Sequence, residues 1–329
     1  MSSPTPVNGE SNSHPGDQHN VPGYQAHASF ASLKERIQLH YNVASDYYYS
    51  LWGQHIHHGY WKSPNETKEQ AQVNLIEYLL ELSALPTSSY VLDVGCGIGG
   101  TSRYLARERA CNVTGLTISG KQVEMAKRLS LAETSSTEHT DPSGATIRLP
   151  PGSVRFVELD AETMLQYFKT TGDKPSDGFN CVWISEALSH FPNKPLFFES
   201  SFALLASGKS SRLVIADWFK APNLSQEQDK ADIKPIEDGM LLPPMCTADE
   251  YVKMAEKAGF RVFKGPVDIS KNVAKTWDIS WSLVASPSLW AFALSWGRDG
   301  LAFLQAFRAM RRGFANGTFR YALIVLEKP

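Results

Sequence analysis

This sequence has no clustered cysteines, no strong net charge and no long unbroken apolar run, and each absence removes a class of protein. Its cysteines, Cys96, Cys111, Cys181 and Cys246, stand far apart and form no CxxC pair, so neither a zinc site nor a disulfide framework is indicated. Such thiols fit a reducing compartment, and a cytoplasmic protein is expected. A formal charge of -2 leaves no footprint for nucleic acid or an acidic membrane surface. The most apolar candidate for a membrane span, Leu283–Trp296, is followed closely by Arg298 and Asp299 and reads better as a buried or lid helix. Residues 1–33 contain no Lys or Arg and are rich in Ser, Pro, Asn, Gly and His. Residues 1–32 are therefore expected to be a disordered tail, without the features of a signal or transit peptide.

What is present is ordinary globular material, 42% hydrophobic and 20% charged over 329 residues. Strand-like and helix-like segments alternate without internal repeats, which predicts an α/β fold with a parallel-dominated sheet. The chain is organised around Tyr90–Ser102. Val91, Leu92 and Val94 suit a strand buried on both faces, and Gly95, Gly97, Gly99 and Gly100 suit a tight turn that approaches a ligand closely. Thr101 and Ser102 are expected to cap the helix Arg103–Arg109.

Gly95, Gly97 and Gly100 also satisfy the dinucleotide pattern G-x-G-x-x-G, a weak signal by itself. A nicotinamide site wants an acid about 20 residues later to hold the ribose. The corresponding stretch, Val113–Ser119, has none, and offers Thr117, Ser119 and, just beyond, Gln122 as polar partners. The acid lies instead inside the first strand, as Asp93, where it can brace the turn or reach a cationic amino group. Asp160 follows the strand Val154–Leu159 and can accept from an adenine amino group or cap the next helix. Past the strand Phe179–Ile184, Glu186 and His190 emerge on the same rim as the glycine turn, and they are the acid/base candidates.

Two aromatic regions flank this frame. Tyr41–Trp61 contains Tyr47, Trp52, His57, His58 and Tyr60, which can line a pocket for an apolar acceptor or simply fill a cap. Its histidines lack a recognisable carboxylate or thiolate ligand spacing, so no metal is expected. Trp277, Trp281, Leu289, Trp290, Phe292, Leu294, Trp296, Phe303 and Phe307 form a second aromatic-rich helical stretch, read as the acceptor-side cap. Residues 133–153 are expected to be a polar loop.

With these residues the chain resembles the γ-tocopherol C-methyltransferase-like branch of the class I S-adenosylmethionine (SAM) methyltransferases, close to the sterol C-methyltransferases. The likeness is carried by His40–Tyr60, by Val91–Gly100, by Thr114–Gln122, by Val182, Trp183, Glu186, His190, Pro192 and Lys194, and by Asn272–Trp277. It implies a Rossmann-like, doubly wound, seven-stranded sheet with N-terminal (33–66) and C-terminal helical cap elements. The SAM-binding domain would run from 67 to 329 with an insertion at about 266–318. It further implies SAM as methyl donor, bound by Asp93, Gly95, Gly97, Gly99, Thr117, Ser119, Gln122, Asp160, Ala161 and Ser185. The acceptor would be a small hydrophobic aromatic, isoprenoid or alkaloid-type metabolite, and Tyr47 and Trp183 could face the sulfonium. The chain departs from the family's tocopherol members at Ser189, where those usually carry an acid, and in the apparent insertion at 133–153. The acceptor, the methylated atom and the oligomeric state stay open. Lipid or cyclopropane-type methylation, and a non-methylating cyclase or binding module, are the rival readings.

Overall fold

A computed structural model describes residues 30–134, 145–207, 211–284 and 298–329. The expected tail at 1–32 falls almost wholly outside them, as do Leu289, Trp290, Phe292, Leu294 and Trp296. The chain begins with helix α1 (Phe30–Trp52) and continues into α2 (Lys68–Ser83). Thr67 starts α2 with a reciprocal capping box: its hydroxyl accepts from Gln70 N, while the Gln70 side chain accepts from Thr67 N.

The strands are β1 (Tyr90–Val94), β2 (Asn112–Thr117), β3 (Thr146–Leu149), β4 (Gly152–Glu158), β5 (Cys181–Ser185), β6 (Ser211–Lys220), β7 (Arg261–Asp268) and β8 (Phe319–Lys328). They form one sheet in the order β3-β4-β2-β1-β5-β6-β8-β7. β4, β2, β1, β5 and β6 are parallel, while β3, β7 and β8 pair antiparallel at the flanks. Strand order reverses at β1, which lies between β2 and β5, and ligands of doubly wound sheets bind beyond the carboxyl ends of the strands at such a point.

The sheet therefore has eight strands rather than the expected seven. The extra one is β3, inside the stretch expected to be a loop. Its four residues alternate, with Ile147 and Leu149 buried and Thr146 and Arg148 less so. That two-residue period is the strand signal, carried by too few residues to stand out from the polar sequence before it.

Helices cover both faces. Between β1 and β6 these are α3 (Gly100–Arg109), α4 (Gly120–Ala132), α5 (Met164–Thr171) and α6 (Lys194–Leu204). Alternate residues of β1 enter different cores: Val91 joins the cluster with Leu75, Leu79 and Leu105, whereas Leu92 and Val94 join the one with Phe168, Phe197 and Tyr251. Burial on both faces explains why the strand reads as a nearly continuous apolar run, and why the single acid in it is conspicuous.

After β6 the chain forms α7 (Gln226–Gln228), α8 (Lys234–Gly239) and α9 (Ala248–Lys257), then α10 (Ser270–Val284) and α11 (Arg298–Asn316) on either side of the undescribed 285–297. Ile233 and Ile236 pack with Trp277, Ala309 and Met310 in a separate apolar cluster, so α8, α10 and α11 make a cap. From the other end of the chain, Leu33 and Ile37 of α1 pack on Leu241. Two segments far apart in sequence thus meet above the strand ends.

Candidate functional site

The glycine turn gives each glycine a different task. Gly95 has φ 74° and Gly97 φ 54°, left-handed values that favour glycine. A Cβ on Gly95 would stand 2.4 Å from the Ala187 methyl, whereas one on Gly97 would meet nothing within 4 Å. Gly95 thus lets the β1 and β5 ends approach each other, while Gly97 leaves space for something else. Gly99 serves packing: a Cβ there would lie 2.6 Å from the Phe156 ring.

Asp93 lies beneath this turn, almost wholly buried, and accepts a 2.6 Å hydrogen bond from the Ser102 hydroxyl. Burial pushes its carboxyl up to about 6 against the opposing effect of that bond. Ser102 is therefore committed to Asp93 and does not cap α3, whose N-cap is Gly99 without a side-chain bond. Asp93 braces the turn from below and does not line the cavity above it.

That cavity, about 130 Å³, is lined by Gly95, Gly97, Thr117, Gln122, Asp160, Ala161 and Ser185 of the expected donor site. Thr117 donates to Gln122 Oε1 at 2.6 Å, so these two wall groups satisfy each other. Ser119 is turned away: it caps α4 by accepting from Gln122 N, and its hydroxyl donates to Asn42 Oδ1 of α1. Asp160 both caps the short turn at Ala161–Thr163 and pairs with Lys34 Nζ at 2.7 Å. Lys34 also reaches Glu162 at 2.5 Å. Burial would lower the Lys34 ammonium, but its bonds to Asp160 and Glu162 outweigh burial and raise it.

Lys34 carried no signal in the sequence, because its partners lie 126 and 128 residues away. Along the same helix Gln38 donates to Ile118 O, and Asp46 pairs with Lys121. α1 is thus fastened by polar contacts along the rim of the glycine-turn cavity.

A second cavity, also about 130 Å³, lies beside the first. Trp52, His57 and His58 line it, together with Trp218, Trp277, Phe303 and Phe307. Ile56, Met240, Leu241, Thr276 and Ser280 also line it, and nothing in their local sequence marked them. Two expectations are corrected. Tyr60 is not in this wall: its ring packs on Tyr78 at 4.9 Å against the edge of the core, and its backbone N–H donates to Ala71 O of α2. Trp183 lies in the sheet core, 1% exposed, and faces neither cavity. Tyr47 lies on α1, but its side chain is outside the described residues.

The two cavities share Ile56, Glu186 and His190. Glu186 follows β5 with φ 55°, an uncommon conformation for a residue with a side chain, and its N–H donates to Ala216 O at 2.8 Å. Its Oε1 accepts from His58 N at 2.6 Å and from the Tyr321 hydroxyl at 2.8 Å, and its Oε2 lies 2.9 Å from His58 Nδ1. Burial alone would raise the Glu186 carboxyl, but the charge and hydrogen bonds of His58 hold it below the usual range. His57 Nδ1 lies 2.8 Å from His58 O, so that nitrogen must donate; burial lowers the His57 imidazole.

The loop that carries His190 is braced beneath. Ser189 N donates to Asp217 Oδ2 at 2.7 Å, and Lys194 donates to Ser189 O and Phe191 O. Burial pushes Asp217 up to about 7 and lowers Lys194. Among the described residues no three His, Cys, Asp or Glu side chains are grouped to hold a metal ion, and no helix is long and apolar enough to cross a membrane.

A family model described as "Mycolic acid cyclopropane synthetase" matches residues 29–141, and one described as "Methyltransferase domain" matches residues 91–208. A protein named O-methyltransferase cnsE of Penicillium expansum is 30% identical over 71% of this chain and 74% of its own length. A probable chloroplastic tocopherol O-methyltransferase of Oryza sativa subsp. japonica is 29% identical over 90% of this chain and 79% of its own. The solved structure of the mycolic acid cyclopropane synthase CmaA1, complexed with SAH and CTAB, aligns with TM-score 0.71 at 18% identity, covering 90% of this chain and 98% of that one.

Proposed function

Because this chain belongs to the class I SAM-dependent methyltransferases, in the γ-tocopherol and sterol C-methyltransferase-like family, we propose that its two cavities divide donor from acceptor and meet at the transfer point. The observation that carries this reading is that the glycine-turn cavity and the aromatic cavity share Ile56, Glu186 and His190.

SAM, when bound, supplies a methyl group on a sulfonium, a strong electrophile that needs no protein nucleophile. The residues fit such a ligand. The open space above Gly97 admits the methionine part, which a side chain there would fill. Thr117, Gln122 and Asp160 present the polar edge for ribose and adenine, with Lys34 as the group that Asp160 must share. The opposite chamber is apolar and aromatic and takes a small hydrophobic acceptor. The rice relative is named for a tocopherol, and this chain is read as acting on a molecule of comparable character, a ring with an apolar body.

What the protein contributes is position. Trp52, Trp218, Trp277 and Phe307 hold the acceptor's body, while Ile56 and His190 hold the gap between the chambers. Aligning acceptor atom, methyl and sulfur can supply several kcal/mol of the barrier, up to about 7–11 in favourable cases. α1 and the α8–α11 cap exclude water from the gap, which strengthens every local charge interaction. Glu186 has both oxygens engaged by neighbouring donors, so it is read as a fixed anion at the junction rather than the group that touches the acceptor. The unpaired thiols suit a cytoplasmic location.

Two measurements test this. Calorimetric titration should show SAM and S-adenosylhomocysteine (SAH) binding to wild type and loss of both in Gly97→Arg. Mass spectrometry of hydrophobic metabolite extracts incubated with deuteromethyl-SAM should reveal a labelled product. A wild-type protein that binds neither ligand, or that labels only water-soluble polar metabolites, overturns the reading.

A further inference from the structure

The junction contains an imidazole whose proton is assigned by its neighbours. His58 is 4% exposed and packed against Trp277 at 4.8 Å, Tyr321 at 5.1 Å and Trp218 at 5.9 Å between ring centroids. Its Nδ1 faces Glu186 Oε2 at 2.9 Å. An ionised carboxylate only accepts, so Nδ1 carries a hydrogen whether the ring is charged or not, and whenever the ring holds a single proton it is Nε2 that has the lone pair. Nε2 is buried and has no hydrogen-bond partner among the described residues. A buried nitrogen with a bare lone pair, in the wall of a chamber built for a ligand, calls for a donor from that ligand.

The carboxylate behind it is fixed in turn. Tyr321 donates to Glu186 Oε1, and burial first, then the Glu186 charge, raises the phenol so that it stays protonated and donating. His58 N donates to the same oxygen. The order Tyr321, Glu186, His58 therefore ends in one free acceptor atom. His58 lines the aromatic chamber, and Glu186 lines both chambers.

We propose that His58 is the proton acceptor of the methyl transfer, with Glu186 as its counter-ion and Tyr321 as a positioning residue, and that the acceptor is a phenol or enol. This rests on the division into donor and acceptor chambers given above. The acceptor O–H bond breaks and its proton passes to His58 Nε2. The freed electron pair forms a bond to the methyl carbon, at oxygen or at a conjugated ring carbon, as the carbon–sulfur bond breaks and leaves its electrons on sulfur. A positive charge disappears from sulfur and one appears on the imidazole beside Glu186, so net charge is conserved. A bond made at a ring carbon is completed when protonated His58 returns its proton to the oxygen, then takes the proton that leaves the methylated carbon and releases it to solvent.

The acceptor class follows from acidity. A phenol ionises near pH 10 and lies within reach of a neutral imidazole whose cation is held by a carboxylate, whereas an ordinary alcohol does not. An already basic amine would leave Nε2 unused. His57 also has a bare Nε2, but its Nδ1 donates only to a backbone carbonyl, its ring makes no carboxylate contact, and burial lowers it; it is the poorer proton sink. Two indole N–H groups in the same wall, Trp218 Nε1 and Trp277 Nε1, also lack partners among the described residues and can donate to the acceptor's oxygen.

The test has two arms. In the full chain with ring-15N-labelled histidine and bound SAH, NMR across a pH titration should show the singly protonated His58 with its proton on Nδ1 and a bare Nε2, and Glu186→Gln should abolish that preference. A singly protonated wild-type His58 with its proton on Nε2 overturns the proposal even if no acceptor has been found. In the second arm, deuteromethyl-SAM is incubated with a hydrophobic extract and with the same extract after exhaustive O-acetylation. Label should enter the first and be lost from the second, and His58→Asn, which keeps a donor towards Glu186, should cut the signal about 10²–10⁴-fold with SAH affinity unchanged. Label persisting after acetylation, or full turnover in folded His58→Asn, overturns it. Label in neither extract sinks the division into chambers instead, and the NMR arm still decides the state of His58.

Discussion

Gly95→Ala and Gly97→Ala change residues two apart in one turn and should fail in different ways. Both positions have left-handed φ, 74° and 54°, so each alanine costs about 1–2 kcal/mol in backbone strain. Gly95→Ala adds a contact: its Cβ would lie 2.4 Å from that of Ala187. Neither methyl can rotate aside, so the backbone leading from β5 must move, at a further cost of about 1–3 kcal/mol. That backbone carries Glu186. Gly97→Ala adds no protein contact, but its methyl stands in the space assigned to the donor. Urea unfolding should therefore show a loss of about 2–5 kcal/mol for Gly95→Ala and only about 1–2 kcal/mol for Gly97→Ala. Calorimetry should show Gly97→Ala losing SAH affinity about tenfold or more, a change of about 1.4 kcal/mol. Equal destabilisation by the two variants, or wild-type SAH binding by Gly97→Ala, would refute the assignment of one glycine to packing and the other to the ligand.

Lys34→Met should leave the fold intact and speed SAH release, since two charge-assisted contacts across the cavity mouth are lost; with these groups partly exposed, about 1 kcal/mol and about a fivefold rise in off-rate are expected, along with a weaker salt dependence in stopped-flow traces. No change in off-rate would mean that α1 does not cover the ligand. Asp217 sets a pH dependence. Its folded-state pKa of about 7 exceeds the ordinary 3.8, so the stability it contributes is complete below about 3.8 and is lost as pH rises through about 7. Between pH 4 and 7 Asp217 should contribute a slope approaching one proton, about 1.4 kcal/mol per pH unit, beside that of Asp93, which is raised to about 6, and Asp217→Asn should remove its share, most visibly between pH 6 and 7; an unchanged slope there assigns the titration elsewhere. Tyr60→Phe should leave SAH affinity and turnover within about twofold, because the ring lies against Tyr78 outside both chambers, and a large loss of turnover would return Tyr60 to the site.

Much of the parallel frame was legible because its signals are local. A strand covered on both faces needs consecutive apolar residues, and Val91, Leu92 and Val94 show this directly. The capping box at the start of α2 lies within four residues, Thr67 to Gln70, so its signal is local as well. β3 was missed because four residues carry little periodicity. Ser102 was misassigned as a cap because a hydroxyl at a helix start has two possible partners, and only the buried Asp93 across the turn decided between them. Tyr60 was misplaced for a related reason: an aromatic stretch does not say which way each ring points, and this one packs on Tyr78 rather than into the cavity.

The sequence by itself determined the α/β frame and, through the family resemblance its motifs carry, the methyl donor. An acid within a buried strand, a glycine turn and a second strand without a ribose-binding acid are short-range features, fixed by backbone sterics and by what a buried strand tolerates. The tertiary structure decided which atoms are free to act. Glu186 looked like a base in the sequence; folding surrounds it with His58 and Tyr321, 128 and 135 residues away, whose polar groups engage both of its oxygens. Lys34 acquired its place over Asp160 in the same manner. Hydrogen bonds depend on angles and distances of tenths of an ångström between segments brought together only by packing, and no local pattern in the chain encodes them.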